Sequence, residues 1–412
     1  MKIRAFRGYR YGIGRVADVS AVVAPPYDQI SPDMQQRLHA MHPHNIVRLT
    51  LPLDVGGGPG KYASARLVLD HWVAERAWER EEWPAIYAYH QTYAVGGTPI
   101  TRMGFIALGD VTEYARGEVL PHERTHAGPK RDRLALLEAT GTDIGLLFML
   151  VGDPDGALTR LINPGGTPTV EARDLKREHH KLWRIIDATT IDAVVRHLAD
   201  RPVIIADGHH RYETAVEYAK THPDARAKLM AFFPVEGPGL TIFPNHRLVH
   251  NVHVFDLDRF LASASAWFDV APLDDPLAFQ AENRRLAVVT RDRAVTLRLR
   301  DDAAPKIAWP PATSPAWREL AVSVLHEGLL RPLLDITDAK LDAKSHVEYT
   351  ADQAEAVALA RSGPYQAAFL IAPPTPTELQ AVVRGGELMP QKSTHFYPKL
   401  LDGLVFHRLE HA

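Results

Sequence analysis

The sequence has no cysteine, no apolar run of membrane length and almost no net charge, and each absence removes a class of chemistry. Without cysteine in 412 residues there are no disulfides, thiolate zinc sites or cysteine nucleophiles, which leaves His, Asp, Glu, Ser and Thr to do any chemistry. The 47 basic and 50 acidic side chains give a net charge of -3. That charge provides no whole-protein attraction to polyanions, so nucleic acid is not an expected partner. No stretch approaches the ~20 apolar residues that span a bilayer, and the first residues lack the apolar segment of a signal peptide. A cytoplasmic protein without a membrane partner is expected. Two nucleotide signatures are also missing. In Gly56-Gly57-Gly58-Pro59-Gly60-Lys61, Val55 and Tyr62 stand where a Walker A loop needs Gly and Ser or Thr, and no dinucleotide fingerprint or nucleophile elbow is found. The glycine cluster reads as a loop.

What is present is a chain 46% apolar with 21 histidines, long enough for two or three domains. Ser31 and Pro32 read as the start of a helix to Met41. Leu67, Leu69, Trp72, Val73 and Trp78 predict a helix from Tyr62 to Arg80. Ala85 to Ala94 and Arg102 to Leu108 read as strands around Gly96-Gly97, Leu134 to Thr140 as a short helix, and Ile144 to Val151 as a buried strand. The last third shows a hairpin (285–290, 294–300), a helix from Asp352 and a strand at 367–372. These elements predict an α+β protein with a mixed sheet. Its expected divisions are a catalytic domain at 1–250, an α/β accessory domain at 251–385, and a segment at 386–412 packing back on the site. The sequence leaves monomer and homodimer open.

Three constellations carry chemistry. Asp207-Gly208-His209-His210-Arg211 stands where a buried strand gives way to a helix, whose N-terminal N–H groups and positive dipole end suit phosphate. His209, His210 and Arg211 would add charged donors, and Asp207 could hold Mg2+. The plainer alternative is a capped helix with surface histidines. His122-Glu123-Arg124-Thr125-His126 satisfies H-E-x-x-H, which on a helix would bind zinc. Its flanks, Pro121 and Ala127-Gly128-Pro129, favour a loop that holds Glu123 and basic neighbours, Arg133 among them, near an anionic ligand. Met389 to Lys399 joins Lys392, Ser393, Thr394 and Lys399 to aromatics and prolines in a donor-rich loop.

With Ala24-Pro25-Pro26-Tyr27-Asp28, Pro121 to Thr125 with Asp132-Arg133, His180-Lys181-Leu182-Trp183, Ala206 to Tyr212 and Met389 to Lys399 in order, the chain resembles the domain-of-unknown-function 1015 family over nearly its whole length. The Asp-Gly-His-His-Arg turn is also similar to the phosphate-binding turn of the ParB-like superfamily, which includes free-serine kinases and CTP-binding partition proteins. That resemblance implies a ParB-like, free-serine-kinase-like nucleotide-binding core. The turn would hold phosphates and an upstream glutamate would act as base. The expected activity is metal-assisted phosphoryl transfer from ATP or ADP to a small hydroxyl metabolite, with L-serine favoured. In this reading His209, His210, Arg211 and Gly208, with Lys392, Ser393, Thr394 and Lys399, hold the nucleotide phosphates. Asp207 holds Mg2+, and Tyr27, Asp28, Arg124, Thr125 and Arg133 line the acceptor pocket. Glu123 is the first choice of base, with Asp28 and Asp207 left open. Two other readings stand beside it: a ParB-like nucleotide-binding regulatory module without turnover, and a zinc hydrolase using His122, Glu123 and His126. No basic helix-turn-helix accompanies the turn, which argues against DNA partitioning. Replacing His210 or Arg211 by alanine is expected to leave the fold intact.

Overall fold

In the computed structural model, which describes residues 1–54, 58, 60–125 and 127–409, the chain divides into two compact units. One is Met1–Leu240 with Pro398–Ala412, and the other is Thr241–Tyr397. The segment 386–412, read as one piece from sequence, is thus shared between them. Val55, Gly56, Gly57 and Pro59 of the glycine cluster, and His126 of the H-E-x-x-H match, lie outside the described residues.

The first unit is built on a nine-stranded sheet. Its strands are β1 (Ile3–Arg4), β2 (Ile86–Val95), β3 (Thr98–Asp110), β4 (Val119–Leu120), β5 (Leu147–Val151), β6 (Val170–Arg173), β7 (His179–Ile185), β8 (Val203–Asp207) and β9 (Ala227–Pro234). They lie in the order β4-β8-β5-β9-β3-β2-β7-β6, and β1 also pairs with β3. Two contacts, β8 with β4 and β9 with β5, are parallel, while β8 with β5 and β9 with β3 are antiparallel. The sheet is therefore mixed, as the sequence predicts. Strands β5 and β9 are buried at every position, because a strand covered on both faces loses the apolar-polar alternation.

Helices α1 (Pro32–Met41), α2 (Lys61–Ala74), α3 (Ala127–Thr140), α4 (Ala188–Leu198) and α5 (His209–Thr221) complete the unit's main elements. Ser31 Oγ accepts the Met34 N–H at 3.2 Å, so α1 starts where its sequence cap predicts. The predicted helix through Arg80 stops at Ala74 because Arg76 adopts φ 59° and turns the chain into a short strand, Trp78–Arg80. Trp78 remains in the core, stacked on Phe406 at 3.7 Å. Helix α3 begins at Ala127, well before the predicted Leu134. One core joins Phe105, Met149, Ile205 and Phe232 of the sheet to Val194 of α4 and Tyr212 of α5. A second joins Leu38, Leu69, Trp72, Leu136 and Phe406.

The second unit carries a six-stranded antiparallel sheet. Its strands are β10 (His246–Val249), β11 (Phe268–Pro272), β12 (Arg285–Val289), β13 (Ala294–Leu299), β14 (Val347–Thr350) and β15 (Ala367–Leu370), in the order β11-β13-β12-β15-β10-β14. The predicted hairpin is β12 and β13. Asp352 caps the helix Gln353–Ser362 by accepting the Glu355 N–H at 3.0 Å. No described helix is long and apolar enough to cross a membrane.

Candidate active site around the β8–α5 turn

Strand β8 slips register against β5 between Ile205 and Asp207, a bulge of the kind that re-aims side chains beside functional sites. Gly208 follows at φ +98°, and a Cβ there would meet Leu147 Cδ2 at 2.8 Å, so any other residue would be strained in the turn. The chain then enters α5, where the Tyr212 N–H donates to Gly208 O at 2.9 Å. The N–H groups ahead of Tyr212 have no carbonyl of their own helix to reach. Arg211 folds back over the turn. It donates to Asp207 Oδ2 at 3.1 Å and to the Leu146 carbonyl, while Lys399 Nζ stands 3.5 Å from Asp207 Oδ1. The aspartate is bridged by two cations.

The two histidines of the turn differ. His209 is buried, and its Nε2 accepts the His122 N–H at 3.3 Å. Burial, reinforced by nearby His122, holds its pKa well below the usual value, so the imidazole is neutral at pH 7. A charged His209 donor does not suit this environment, and what His209 offers at the helix start is its backbone N–H. His210 is half-buried, and its carbonyl accepts Thr214 Oγ1 at 2.7 Å.

The His122–Thr125 segment is not helical. His122 lies inside the unit with Nδ1 2.6 Å from the Ile205 carbonyl and its ring 4.7 Å from that of His209, edge to face. The i, i+4 helical face that a zinc peptidase motif needs is therefore absent at His122 and Glu123. Glu123 is half-buried, and Arg124 is exposed. Thr125 Oγ1 and Lys130 Nζ both donate to Glu213 Oε2, at 2.8 and 2.6 Å. A cavity of about 590 Å³ opens beside them, lined by Tyr114, Lys130, Arg131, Leu134 and Glu213.

A smaller cavity of about 60 Å³ is lined by Tyr27, Arg133, Arg211, Lys228 and Asp402. Its volume takes a few heavy atoms and not a nucleobase. The Arg133 guanidinium lies 4.1 Å over the Tyr27 ring and donates to the Thr50 carbonyl at 2.6 Å. Burial works against the charge of Arg211, but Asp207, Asp28, Asp402 and Tyr27 outweigh it and raise its pKa. Burial pushes the Asp402 carboxyl up to about 7, against the pull of Arg211 and Lys228. It also brings Lys228 down to about 7, with Asp402 opposing. Lys228 contacts Asp143 and donates to the Gly145 carbonyl at 3.0 Å.

Asp402, Lys228 and Asp143 were not among the residues singled out from sequence. Lys228 had a readable signal, because it is the one charged residue in Ala227–Pro234, and a lysine inside a buried strand needs a partner. Lys61, which follows the glycine cluster, pairs with Asp132 at 2.7 Å. Lys392, Ser393 and Thr394 belong to the second unit. There Lys392 adopts φ 56°, its carbonyl accepts from Asn245 Nδ2 at 3.1 Å and Arg247 Nη2 at 3.2 Å, and Ser393 donates to the Pro390 carbonyl.

No curated protein matches the sequence. Similar solved structures include a conserved hypothetical protein from Pyrococcus furiosus, at 13% identity and TM-score 0.36 over 69% of this chain and 90% of that one. A free serine kinase in complex with AMP is similar at 11% identity and TM-score 0.36, over 68% and 83%. SbnI with C-terminal truncation from Staphylococcus aureus is similar at 11% identity and TM-score 0.38, over 73% and 86%. The family model described as "Protein of unknown function (DUF1015)" matches residues 3–323, more than half of the chain, and the protein belongs to that family.

Proposed function

We propose that the protein is a nucleotide-dependent phosphotransferase with a ParB-like nucleotide-binding core, acting on a small hydroxyl metabolite, with L-serine the favoured acceptor. The observation that carries this reading is the β8–α5 turn. There a bulged strand, a glycine at φ +98° and a helix N-terminus are braced by a buried arginine set among carboxylates. Phosphoryl transfer asks the protein mainly for positioning and charge neutralisation. The first-turn N–H groups of α5, His210 and Lys399 hold the phosphates of ATP or ADP, and Arg211 fixes the turn through Asp207.

The carboxylates suit Mg2+. Asp207 keeps part of its side chain exposed, Asp28 acts on the same guanidinium, and such oxygen donors together with phosphates are the set this ion takes. When bound, the ion would neutralise phosphate oxygens. The acceptor hydroxyl oxygen forms the new P–O bond and gives its proton to a carboxylate, while the nucleotide keeps the electron pair of the P–O bond that breaks. Glu123, on the segment pinned by His122, is the first base to test. Asp402 is the second, because a carboxyl near pH 7 is matched to proton abstraction and it lines the small cavity with Tyr27 and Arg133.

The test is mass spectrometry of the protein incubated with L-serine, Mg2+ and each of ATP, ADP and CTP. O-phosphoserine is the expected product. No phosphorylated product from serine or from a panel of small hydroxyl metabolites overturns the phosphotransferase reading, and nucleotide binding without product would make the chain a regulatory module. Glu123→Gln is expected to lower kcat by ~100-fold or more with KM for nucleotide little changed. If Asp402→Asn does so instead, the base is Asp402.

A further inference from the structure

Among the described residues, Asp174, Glu178 and His180 offer ligand atoms that all lie within 4.8 Å of one another. Residues 174–178 link β6 to β7. Asp174 Oδ1 accepts the N–H groups of Lys176 at 2.9 Å and Glu178 at 2.8 Å, and Oδ2 is turned to His180 Nε2 at 3.9 Å. His180 is fully buried on β7, opposite Gln91 of β2. Its Nε2 has no hydrogen-bond partner, and 3.9 Å is too long to supply one. Burying such a nitrogen unsatisfied costs ~1–3 kcal/mol, so the position calls for a partner that completes it.

The other ring nitrogen is engaged. Nδ1 lies 2.7 Å from Tyr89 Oη, which also accepts the Leu401 N–H at 3.4 Å. Nδ1 also lies 3.4 Å from Gln91 Nε2. An ion at Nε2 selects the tautomer in which Nδ1–H donates to the Tyr89 oxygen, the kind of outer hydrogen bond that orients a metal-bound histidine. Arg102, the nearby fixed cation acting on His180, directs hydrogen bonds to Gln91 Oε1 and the Pro398 carbonyl, and two carboxylates outnumber it.

We propose that Asp174, Glu178 and His180 form a binding site for one divalent first-row transition-metal ion, zinc or manganese in class, separate from the phosphate turn. Ligand atoms ~2.0–2.2 Å from such an ion stand roughly 3–4 Å apart, so the cluster closes on it by less than about 1 Å. A nitrogen donor beside two carboxylates suits these ions, whereas Mg2+ and Ca2+ take oxygen sets. The site ties the edge of the sheet to the C-terminal segment, because Tyr89 holds Leu401 and Gln91 Nε2 donates to the Lys399 carbonyl at 2.9 Å.

The experiment is titration of the chelator-stripped full chain with Zn2+, Mn2+ and Mg2+ by calorimetry, with bound metal counted after dialysis. One equivalent of Zn2+ or Mn2+ is expected, with Mg2+ at least ~100-fold weaker. Asp174→Asn and Glu178→Gln, which keep side-chain shape, should each weaken Zn2+ binding by ~10- to 100-fold while the metal-free chains melt as the parent does. Tyr89→Phe should weaken it by about tenfold. The 21 histidines offer other zinc sites, so the variants decide. If no ion binds tighter than ~100 µM, or if binding is undiminished in both Asp174→Asn and Glu178→Gln, the site does not exist. Should His180→Ala fail to fold, these two variants still give the answer.

Discussion

Two buried arginines, one in each unit, sit in opposite surroundings. Arg211 has burial working against its charge, yet Asp207, Asp28, Asp402 and Tyr27 overcome it and raise its pKa. Arg247 has no such ring. Burial dominates there and brings it down to about 10, with Tyr349 opposing, and its hydrogen bonds run to the carbonyls of Asn245, Gln391 and Lys392. A guanidinium held by neutral carbonyls is a brace for the loop it grips. One held among carboxylates belongs to a charge network, and an arriving phosphate changes the balance of that network.

The sharpest way to break this contrast is to remove each cation. Arg211→Ala takes from Asp207 one of the two cations that bridge it and from the Leu146 carbonyl its guanidinium donor. It is expected to cost ~3–5 kcal/mol in urea unfolding and to abolish phosphotransfer. A stability cost is expected beside the loss of activity because this buried side chain bonds Asp207 and the Leu146 carbonyl. Arg247→Ala strands carbonyls and the neutral His326 ring nitrogen, and no carboxylate among its hydrogen-bond partners, and should cost ~1–3 kcal/mol. Equal costs for the two, with the same pH dependence, would remove the distinction between brace and network.

His210→Ala sharpens the functional half of the comparison, since it removes a half-buried side chain of the same turn without touching the Arg211 pairs. Nucleotide affinity and kcat/KM should fall by ~10-fold or more, about what one phosphate contact contributes, with the melting temperature within a few degrees of the parent. Calorimetric titration with ATP and thermal melting check it. A variant with unchanged nucleotide affinity would take His210 out of the site.

The turn was legible because its signal is local. Asp207-Gly208 after Val203-Ile204-Ile205-Ala206 names a strand, a left-handed position and a helix start, and the structure has all three. The mixed α+β character followed from the alternation of apolar runs with helical stripes. What surrounds the turn was not legible, because it depends on pairings distant in sequence. Asp402 lies in an unremarkable Leu-Leu-Asp-Gly stretch and acquires chemistry only when the Asp402–Ala24 bridge and Arg211 enclose it. The neutral state of His209 is hidden for the same reason. Its sequence neighbours suggest a charged turn, and the His122 segment that buries it comes from 87 positions away. The His122-Glu123-Arg124-Thr125 stretch was legible through its flanks: Pro121 and Ala127-Gly128-Pro129 favour a loop over the mid-helix setting of a zinc motif, and residues 122–125 are non-helical.

The smallest expected effect is a pH slope, and its sign follows from Asp402. Burial raises this carboxyl from 3.8 to about 7 in the folded chain, so between about pH 4 and 7 the folded state holds a proton that the unfolded state has released. Stability from this group is complete below pH 4 and is lost as the pH climbs through 7. Lys228 acts in the adjoining window. Burial lowers it from 10.5 to about 7, so its contribution to stability rises between pH 7 and 10.5 and leaves the acid side to Asp402. Urea unfolding from pH 4.5 to 7.5 should therefore show the parent losing ~2 kcal/mol relative to Asp402→Asn, which has no proton to release there. Parallel curves would mean that the carboxyl is ionised throughout, paired with Lys228 or Arg211. The ring around Arg211 would then be a set of fixed ion pairs, and Asp402 could not serve as a base near neutral pH.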